Sequence, residues 1–279
     1  MKLKLTKQQN NVTRIFLSYC LFFGLITLFH SCYSPIDDCL DNESTNYSIN
    51  ADEMCENCCL YPVAKLNVFH QNDTETISLG DTIINNIGQH LVLLNFVYLL
   101  SDFYLYADQA QSFEVIDTIQ ILKNNNSEFI KDDVVSIKRA LFEFELGTII
   151  FDANVQQMTF KVGLNDDLNY NPIVSSTNGH PLTSDPDTLY IESENKYTFQ
   201  RFVVAHGTNF SDTSIYEIDK PINISIPIEF VSERGKDKNI IIETLYDKWF
   251  DNINFTNMGT AIIESKIEEN TKNVFRKRI

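Results

Sequence analysis

Basic residues, glycine and proline are scarce in this chain, and each shortage excludes a class of protein. Only 22 Lys and Arg stand against 38 Asp and Glu among 279 residues, which gives a formal net charge of −16. A nucleic-acid partner requires basic surface to neutralise phosphates, so this balance argues against nucleic-acid binding. With only 9 Gly and 7 Pro, the chain has neither a fibrous nor a low-complexity composition.

The apolar residues that are present suffice for a large core and favour strands. They make up 43% of the chain, which excludes wholesale disorder. The 20 Phe and 12 Tyr, together with many Ile and Val, favour β-structure. The sequence holds no Gly-rich phosphate loop, serine nucleophile elbow or His-Glu-x-x-His motif, and we therefore expect that the protein is not an enzyme.

The N-terminal segment has the character of a secretory signal. A basic start without acidic residues precedes Ile15–Phe29, which is almost wholly apolar. This run of about 15 residues is short for a membrane span, which needs about 20. Ser31 directly before Cys32 resembles a bacterial lipobox, in which the cysteine is lipidated and becomes the mature N-terminus. We expect a lipid anchor at Cys32 in the bacterial cell envelope, with the membrane as partner; the face of the membrane and any protein partner stay open.

Four cysteines cluster ahead of the apolar body, and none follows Cys59. Because an exported chain meets an oxidising compartment, Cys39, Cys55, Cys58 and Cys59 are predicted to form disulfides. A bond between the adjacent Cys58 and Cys59 would be strained, so each is expected to pair with Cys39 or Cys55, in an order that stays open. The Cys-x-x-Cys spacing is an alternative signal for zinc.

The cysteine-rich segment also carries a recurring pattern. The segment resembles short modules of exported Bacteroidetes proteins, in which C-x-D is followed by N-Y, then by an alanine and a second cysteine. The matching residues are Cys39, Asp41, Asn46, Tyr47, Ala51 and Cys55. The segment has too few apolar residues for a core, so 32–62 is interpreted as a spacer stapled by disulfides.

Residues 63–279 show the period-two alternation of half-buried strands. Ile222–Ile228 has isoleucine at every second position, and Met158–Leu164 alternates in the same way. Leu91–Leu100 is apolar on both faces, which is typical of a central strand covered on both sides, and Ser101-Asp102 interrupts it. These patterns predict an all-β fold, an antiparallel β-sandwich with long loops.

Two local features refine this expectation. Pro227 has no N–H to donate, so its strand is predicted to lie at a sheet edge or to carry a bulge. Near the C-terminus, Ile263, Ile267 and Val274 recur close to helical spacing. They predict an amphipathic C-terminal helix over roughly 260–277, packed on the sheets.

A series of short motifs follows a recognisable order along residues 63–279. Its pieces are Gly80, Tyr98–Leu105, Phe160–Leu164, Asn169, Gly179–Leu182, Tyr197–Phe199, Ile267, Asn270 and Phe275. The series resembles the MbnP-like family, exported proteins named for a copper-binding member associated with methanobactin uptake. The family pattern includes an F-x-(I/V)-G strand, an H-P-L in some members and a closing I-x-x-N-…-F helix.

The resemblance implies a β-sandwich and, from the characterised members, copper held by histidines and an oxidised tryptophan. His180 matches the H-P-L histidine, His70 lies where many members carry a histidine, and His206 is a third candidate ligand. Where the family has Y-W-x-W, this chain reads Leu189–Glu192, and its single tryptophan, Trp249, lies far away. The implied copper site therefore lacks the tryptophan ligand and depends on the histidines, with a tyrosine or carboxylate completing the shell.

The sequence thus predicts a signal peptide over 1–31, a spacer over 32–62 and a sandwich domain over 63–279. We expect a non-enzymatic, lipid-anchored binding protein of the cell envelope that binds copper at a degenerate MbnP-like site. The alternative is a structural or adhesive surface module without a metal.

The anchor can be tested by removing its attachment point. Cys32→Ala should move the protein from the membrane to the soluble fraction, because no thiol is left for the lipid at the lipobox. The measurement is membrane fractionation of cells that express either form, with Cys39→Ala as the matched cysteine control. Unchanged membrane partitioning of the Cys32→Ala protein would reject lipidation at this residue.

Overall fold

The structure is a computed structural model that describes residues 33–107, 111–139, 141–171, 173–175, 179–183, 189–191, 193–194 and 196–278. The predicted signal peptide and Cys32 lie outside the described residues. Two compact units are present among the described residues, one formed by 33–40 and 48–57 and the other by 41–47 and 58–278. No helix in this part of the chain is long and apolar enough to cross a membrane.

Strands dominate the secondary structure. In chain order they are β1 (Asp37–Asp38), β2 (Glu53–Met54), β3 (Val63–Asn72), β4 (Glu75–Thr76), β5 (Thr82–Ile84), β6 (His90–Ala107), β7 (Ser112–Glu114), β8 (Thr118–Lys123), β9 (Asn126–Lys131), β10 (Val135–Lys138), β11 (Glu143–Thr148), β12 (Asn154–Val162), β13 (Ile173–Ser175), β14 (Tyr190–Ile191), β15 (Lys196–Tyr197), β16 (Gln200–His206), β17 (Asp212–Ile218), β18 (Ile222–Val231), β19 (Lys238–Leu245) and β20 (Phe275–Lys277). The helices are α1 (Asp166–Tyr170), α2 (Tyr246–Trp249) and α3 (Thr260–Asn270), with short 3-10 turns at Thr208–Phe210 and Thr271–Asn273.

The smaller unit has little regular structure and little core. Its strands β1 and β2 pair in parallel over two residues each. The Asp52 carboxylate accepts hydrogen bonds from the Tyr33 hydroxyl and, at 2.9 Å, from the Ile36 N–H. Large apolar side chains of this unit are exposed, including Tyr33, Ile36, Ile49 and Met54. Apolar burial therefore contributes little to its stability.

The cysteines supply the constraint that apolar burial does not. Cys39, Cys55, Cys58 and Cys59 are all disulfide-bonded, which confirms the prediction of disulfides. Because their sulfurs are held in disulfides, they are not available as zinc thiolates.

Two sheets of the larger unit enclose its main core, and the smaller sheets β13-β8-β9 and β14-β15 accompany them. The first has the spatial order β17-β16-β6-β12-β18, with β5, β7 and β10 also paired to β6. The second has the order β11-β3-β19-β20, with β4 on β3. Pairing is antiparallel throughout both sheets except between β3 and β19. The predicted all-β sandwich is confirmed.

Strand β18 shows how the sequence pattern sets the core face. Every second residue from Ile222 to Ile228 is buried in the main core, and the residues between them are exposed. Among the described strands β18 pairs only with β12 and so ends the sheet, and its register shifts between Phe230 and Pro227. The edge position and the irregularity both agree with the prediction from Pro227, which cannot donate to a ladder.

Strand β6 runs through the centre of the larger sheet and is buried on both faces, as predicted. Phe96, Tyr98 and Leu100 belong to the main core between the sheets. The alternate residues Val97 and Leu99 belong to a second apolar cluster on the other face. Because successive side chains of a strand point to opposite faces, β6 connects two separate cores.

A bulge at Asp102 keeps β6 continuous where the sequence predicted an interruption. Asp102 has a φ of 55°, and the pairing with β12 shifts between Ser101 and Tyr104. The Asp102 N–H donates to Asp133 Oδ1 at 2.9 Å, which satisfies this donor outside the ladder. The extra residue returns Phe103 to the main core, so the strand stays buried beyond the bulge.

The C-terminal helix is shorter than its periodicity predicted. Ile263 and Ile267 of α3 are buried, as expected from their spacing, but the helix ends at Asn270. The prediction is wrong over 271–277, where a 3-10 turn leads into β20. Phe275 pairs with Thr244 of β19. The edge strand of the smaller sheet presents backbone N–H and C=O groups that an extended segment can pair with and a further helical turn cannot.

The only tryptophan lies at the centre of the main core. Trp249 is fully buried, and the ring centroids of Tyr246 and Phe202 lie 5.0 Å from its ring. Its Nε1–H lies 3.1 Å from both Gln200 Oε1 and Thr271 Oγ1, two buried acceptors. The indole therefore combines a large buried area with a satisfied polar group.

Trp249→Ala should lower the free energy of unfolding by about 3–5 kcal/mol, because it leaves a cavity at the centre of the sandwich. Trp249→Phe should cost less, since it keeps an aromatic ring and loses the N–H bonds and only part of the buried volume. Guanidinium unfolding followed by circular dichroism measures both. The control is Phe129→Ala, whose ring is 70% exposed and whose loss should change stability by under about 0.5 kcal/mol. Equal losses in the Trp249→Ala and Phe129→Ala proteins would contradict the central role of Trp249.

Candidate metal centre

His70 lies near the end of β3, inside the main core. Its imidazole is 3% exposed and lies against the rings of Phe96, at 5.4 Å, and Tyr246, at 5.5 Å. Nε2 lies 3.5 Å from the Leu141 carbonyl, which can only accept, so Nε2 carries the proton. Nδ1 is 2.9 Å from the Tyr246 hydroxyl and accepts its hydrogen bond. Both ring nitrogens of His70 are thus engaged within the protein.

Burial determines the charge of this pair. It lowers the pKa of His70 to about 4, and Arg139 nearby acts in the same direction. Burial also raises the pKa of the Tyr246 phenol well above its ordinary value. Both groups are therefore neutral over the range in which a histidine usually titrates. A neutral imidazole can ligate a metal, but the lone pair of His70 is already used by the tyrosine.

His180 lies in the loop between β13 and β14, and its environment is different. The side chain is 5% exposed, with Nε2 3.0 Å from Asp132 Oδ1. The Leu182 N–H donates to Nδ1 at 3.2 Å, so the ring proton is on Nε2 and is directed at the carboxylate. Two ligand atoms about 2.0 Å from one metal ion, at angles of 90–110°, are themselves about 2.8–3.3 Å apart. The spacing between Nε2 and Oδ1 falls within that interval.

A cavity of about 720 Å³ adjoins His180 and has an acidic lining. Asp117, Asp132 and Glu145 line it together with His180. Asp117 is held in place because its Oδ2 accepts the Thr148 N–H at 2.6 Å. The volume is within the range of small-ligand sites, about 300–1,000 Å³. Three carboxylates and an imidazole make this a cavity suited to a cation.

Gly147 permits the close approach of Asp117 to the backbone. It has a φ of 123°, and a Cβ atom at this position would lie 2.5 Å from Asp117 Oδ2. Only glycine tolerates both the conformation and the contact. The position of Asp117 in the acidic lining therefore depends on Gly147, which has no side chain to bind a ligand.

His206 is the last residue of β16, and its ring packs against Phe255. The two rings are stacked, with centroids 5.0 Å apart and planes inclined by 19°. Nε2 lies 2.9 Å from the Ser214 hydroxyl. Among the described residues, none hydrogen-bonds to Nδ1. The His206 side chain is 8% exposed.

The structure gives the three predicted histidines separate surroundings. His70 bonds to Tyr246 and His206 to Ser214, whereas His180 faces an acid. Within the part of the chain that the structure describes, the only group of three or more His, Cys, Asp or Glu with converging ligand atoms consists of disulfide-bonded cysteines. A preformed three-ligand copper site of the implied kind is therefore not present among these residues. What the structure offers is a two-ligand pair, His180 with Asp132.

Asp132 is the functional residue that the sequence analysis missed. It follows β9 and lies 48 residues from His180, so no local spacing connects the two. The adjacent Asp133 has a structural role instead: it accepts from the backbone of Asp102 and Phe103 and pairs with Lys131 at 3.1 Å. Burial raises the pKa of Asp133, and the Lys131 charge opposes that rise.

An antiparallel sandwich with a histidine–carboxylate pair beside an acidic cavity defines an all-β protein with a candidate cation site. The sequence model of the MbnP family matches residues 62–266, and the chain belongs to this family. Among solved structures, MbnP from Methylosinus trichosporium matches with 10% identity and a TM-score of 0.40, over 67% of this chain and 77% of that chain. No curated protein matches.

The pKa of His70 predicts a pH-dependent stability. The unfolded chain takes up a proton on His70 near pH 6.5, whereas the folded protein takes it up only near pH 4. The contribution of His70 to the free energy of unfolding is therefore complete above about pH 6.5 and is lost as the pH falls to about 4. The 2.5-unit difference corresponds to about 3 kcal/mol. His70→Gln, which can both donate and accept, should flatten this part of the profile.

Denaturant unfolding at pH 7.5 and pH 4.5 gives the loss of stability for each protein. Comparing the losses of wild type and variant cancels the contribution of the acidic groups, which both proteins contain. His90→Gln is the control, because His90 is exposed. If the His70→Gln and wild-type proteins lose the same stability between the two pH values, His70 is not the group responsible.

Proposed function

We propose that this MbnP-family protein is a non-enzymatic, lipid-anchored binding protein of the bacterial cell envelope that takes up copper at His180 and Asp132. The observation that carries the proposal is the 3.0 Å pair of Nε2 and Oδ1 on the wall of an acid-lined cavity. Membership of the MbnP family supports copper as the ion, and the signal-like N-terminus with Ser31-Cys32 supports the anchor.

The donor set suits Cu(II) better than softer ions. Imidazole nitrogen and carboxylate oxygen are ligands of copper in its divalent state, whereas Cu(I) favours sulfur. Binding through Nε2 would require the ring proton of His180 to move to Nδ1, which would then give up the bond from the Leu182 N–H. Nε2 and the Asp132 carboxylate would then hold the ion.

The remaining acids contribute charge. Asp117 and Glu145 line the same cavity, and their negative charge favours a divalent cation over a neutral ligand. Water would complete the coordination, because the pair supplies only two atoms. Affinity is therefore expected to be lower than for a site with three protein ligands.

His70 and His206 stay outside this site. The imidazole of His70 is hydrogen-bonded to Tyr246, and a metal there would break this buried hydrogen bond. His206 is stacked on Phe255 and bonds to Ser214, which is a structural role at the end of β16.

The test is a calorimetric titration of Cu(II) into the full-length protein in detergent, under non-reducing conditions. Wild type should bind one equivalent. His180→Ala and Asp132→Asn should each weaken binding by at least about tenfold, since each removes one of two protein ligands. Affinity should also fall with decreasing pH, because protons compete for the imidazole.

His90→Ala removes an exposed imidazole and is the matched control, which should bind as wild type does. Equal uptake by wild type and His180→Ala would reject the site. Loss of binding in a His206→Ala protein alone would place the ion elsewhere, and no uptake by any form would favour a surface module without a metal.

A further inference from the structure

The smaller unit carries its large apolar side chains on the outside. Within 33–40 and 48–57, every tyrosine, isoleucine, leucine and methionine is exposed, from 38% for Leu40 to 79% for Ile49. The set is Tyr33, Ile36, Leu40, Ile49 and Met54. Single exposed apolar residues are ordinary, but a small unit that exposes all of them presents a contact surface.

Strand pairing brings three of these side chains to one side of β1 and β2. Met54 is the register partner of Asp38, and its sulfur accepts the Leu40 N–H at 3.3 Å. The carbonyls of Ile36 and Asp38 both accept N–H groups from β2, so these two residues have the same orientation along the extended chain. The intervening Cys39 is fully buried and disulfide-bonded. One side of the β1–β2 pair is therefore apolar and exposed.

Tyr33 is tied to this side through Asp52. The Asp52 carboxylate accepts hydrogen bonds from the Tyr33 hydroxyl and from the Ile36 N–H, which keeps the ring close to Ile36. A tyrosine combines an apolar ring with a polar tip, which suits the level where lipid headgroups meet acyl chains. The apolar side thus has a polar rim, as a membrane interface requires.

Chain position and charge identify the partner. Cys32, the proposed attachment point of the lipid, immediately precedes Tyr33, so a lipid there would hold this unit at the membrane surface. The unit contains no Lys, Arg or His, and an anionic surface would repel its five acids, which are Asp37, Asp38, Asp52, Glu53 and Glu56. Chain position and charge together favour the interface of neutral, zwitterionic lipid.

We infer that the apolar side of the β1–β2 pair, with Tyr33, Ile36, Leu40 and Met54, docks on the neutral lipid interface of the membrane that holds the anchor. The inference rests on the proposed anchor at Cys32 and is independent of copper binding at His180. Docking would lay this segment on the membrane surface, so that it acts as a second membrane contact beside the lipid and not only as a spacer.

The test places a fluorescent reporter on either side of one strand. Full-length protein purified from bacterial membranes is reconstituted into phosphatidylcholine vesicles with or without bromine on the acyl chains. Met54→Trp puts an indole on the apolar side, and Glu53→Trp puts one on the opposite side. Bromine quenches an indole on contact, and an interfacial face lies about 5–10 Å into the headgroup and acyl boundary. Trp249 is fully buried and gives both proteins the same background.

Met54→Trp should lose fluorescence in the brominated vesicles, and Glu53→Trp should lose much less. Adding Ile36→Ser to the Met54→Trp protein should reduce the quenching, because it removes part of the apolar side. Ile241→Ser is the matched control: Ile241 is 45% exposed in the larger unit, against 47% for Ile36, and its loss should leave the quenching unchanged. Ile36→Trp reports from the same side if the Met54→Trp protein does not fold.

Vesicle flotation and the mass of the purified protein are measured first, because they report the anchor separately. Protein without a lipid that does not float with the vesicles overturns the anchor and the docking together. Protein that is lipidated and floats, but in which Met54→Trp is quenched no more than Glu53→Trp, overturns the docking alone. Equal quenching with Ile36→Ser and Ile241→Ser also overturns it. A blue-shifted indole that bromine does not quench would show that a second copy covers this side instead.

Discussion

Strand β6 must satisfy its backbone in a sheet while its side chains are buried on both faces, and the larger unit is arranged around this requirement. Phe96 and Tyr98 contribute to the core between the sheets, whereas Val97 contributes to the cluster on the opposite face. A strand buried in this way has to be central, because an edge would leave backbone groups without partners. The bulge at Asp102 returns Phe103 and Leu105 to the main core, so the strand stays buried beyond it.

This double burial also separates the histidines. The ring of His70 lies against Phe96 in the main core, where a neutral imidazole and a neutral phenol satisfy each other. His180 receives its backbone bond from Leu182, which belongs to the second cluster. A buried histidine needs partners for both nitrogens, and the partner decides its chemistry. A hydroxyl donor occupies the lone pair of His70, whereas the N–H of His180 donates to a carboxylate.

The short segment Gly179–Thr183 borders two cavities. Its first residues, including His180, line the cavity with three carboxylates, and its last two line a smaller one. The bonds that hold His180 to Asp132 and Leu182 therefore also fix the boundary between the two cavities.

Local patterns determined much of this protein. Alternating isoleucines predicted the core face of β18, the two-sided apolar run predicted a central strand, and clustered cysteines predicted disulfides. Each pattern reports the surroundings of side chains a few residues apart, which the sequence itself contains. The ending of α3 at Asn270 and the pairing of Asp132 with His180 could not be read in this way. Both depend on backbone edges and side chains brought together from distant parts of the chain, and only the path of the tertiary structure decides which of them meet.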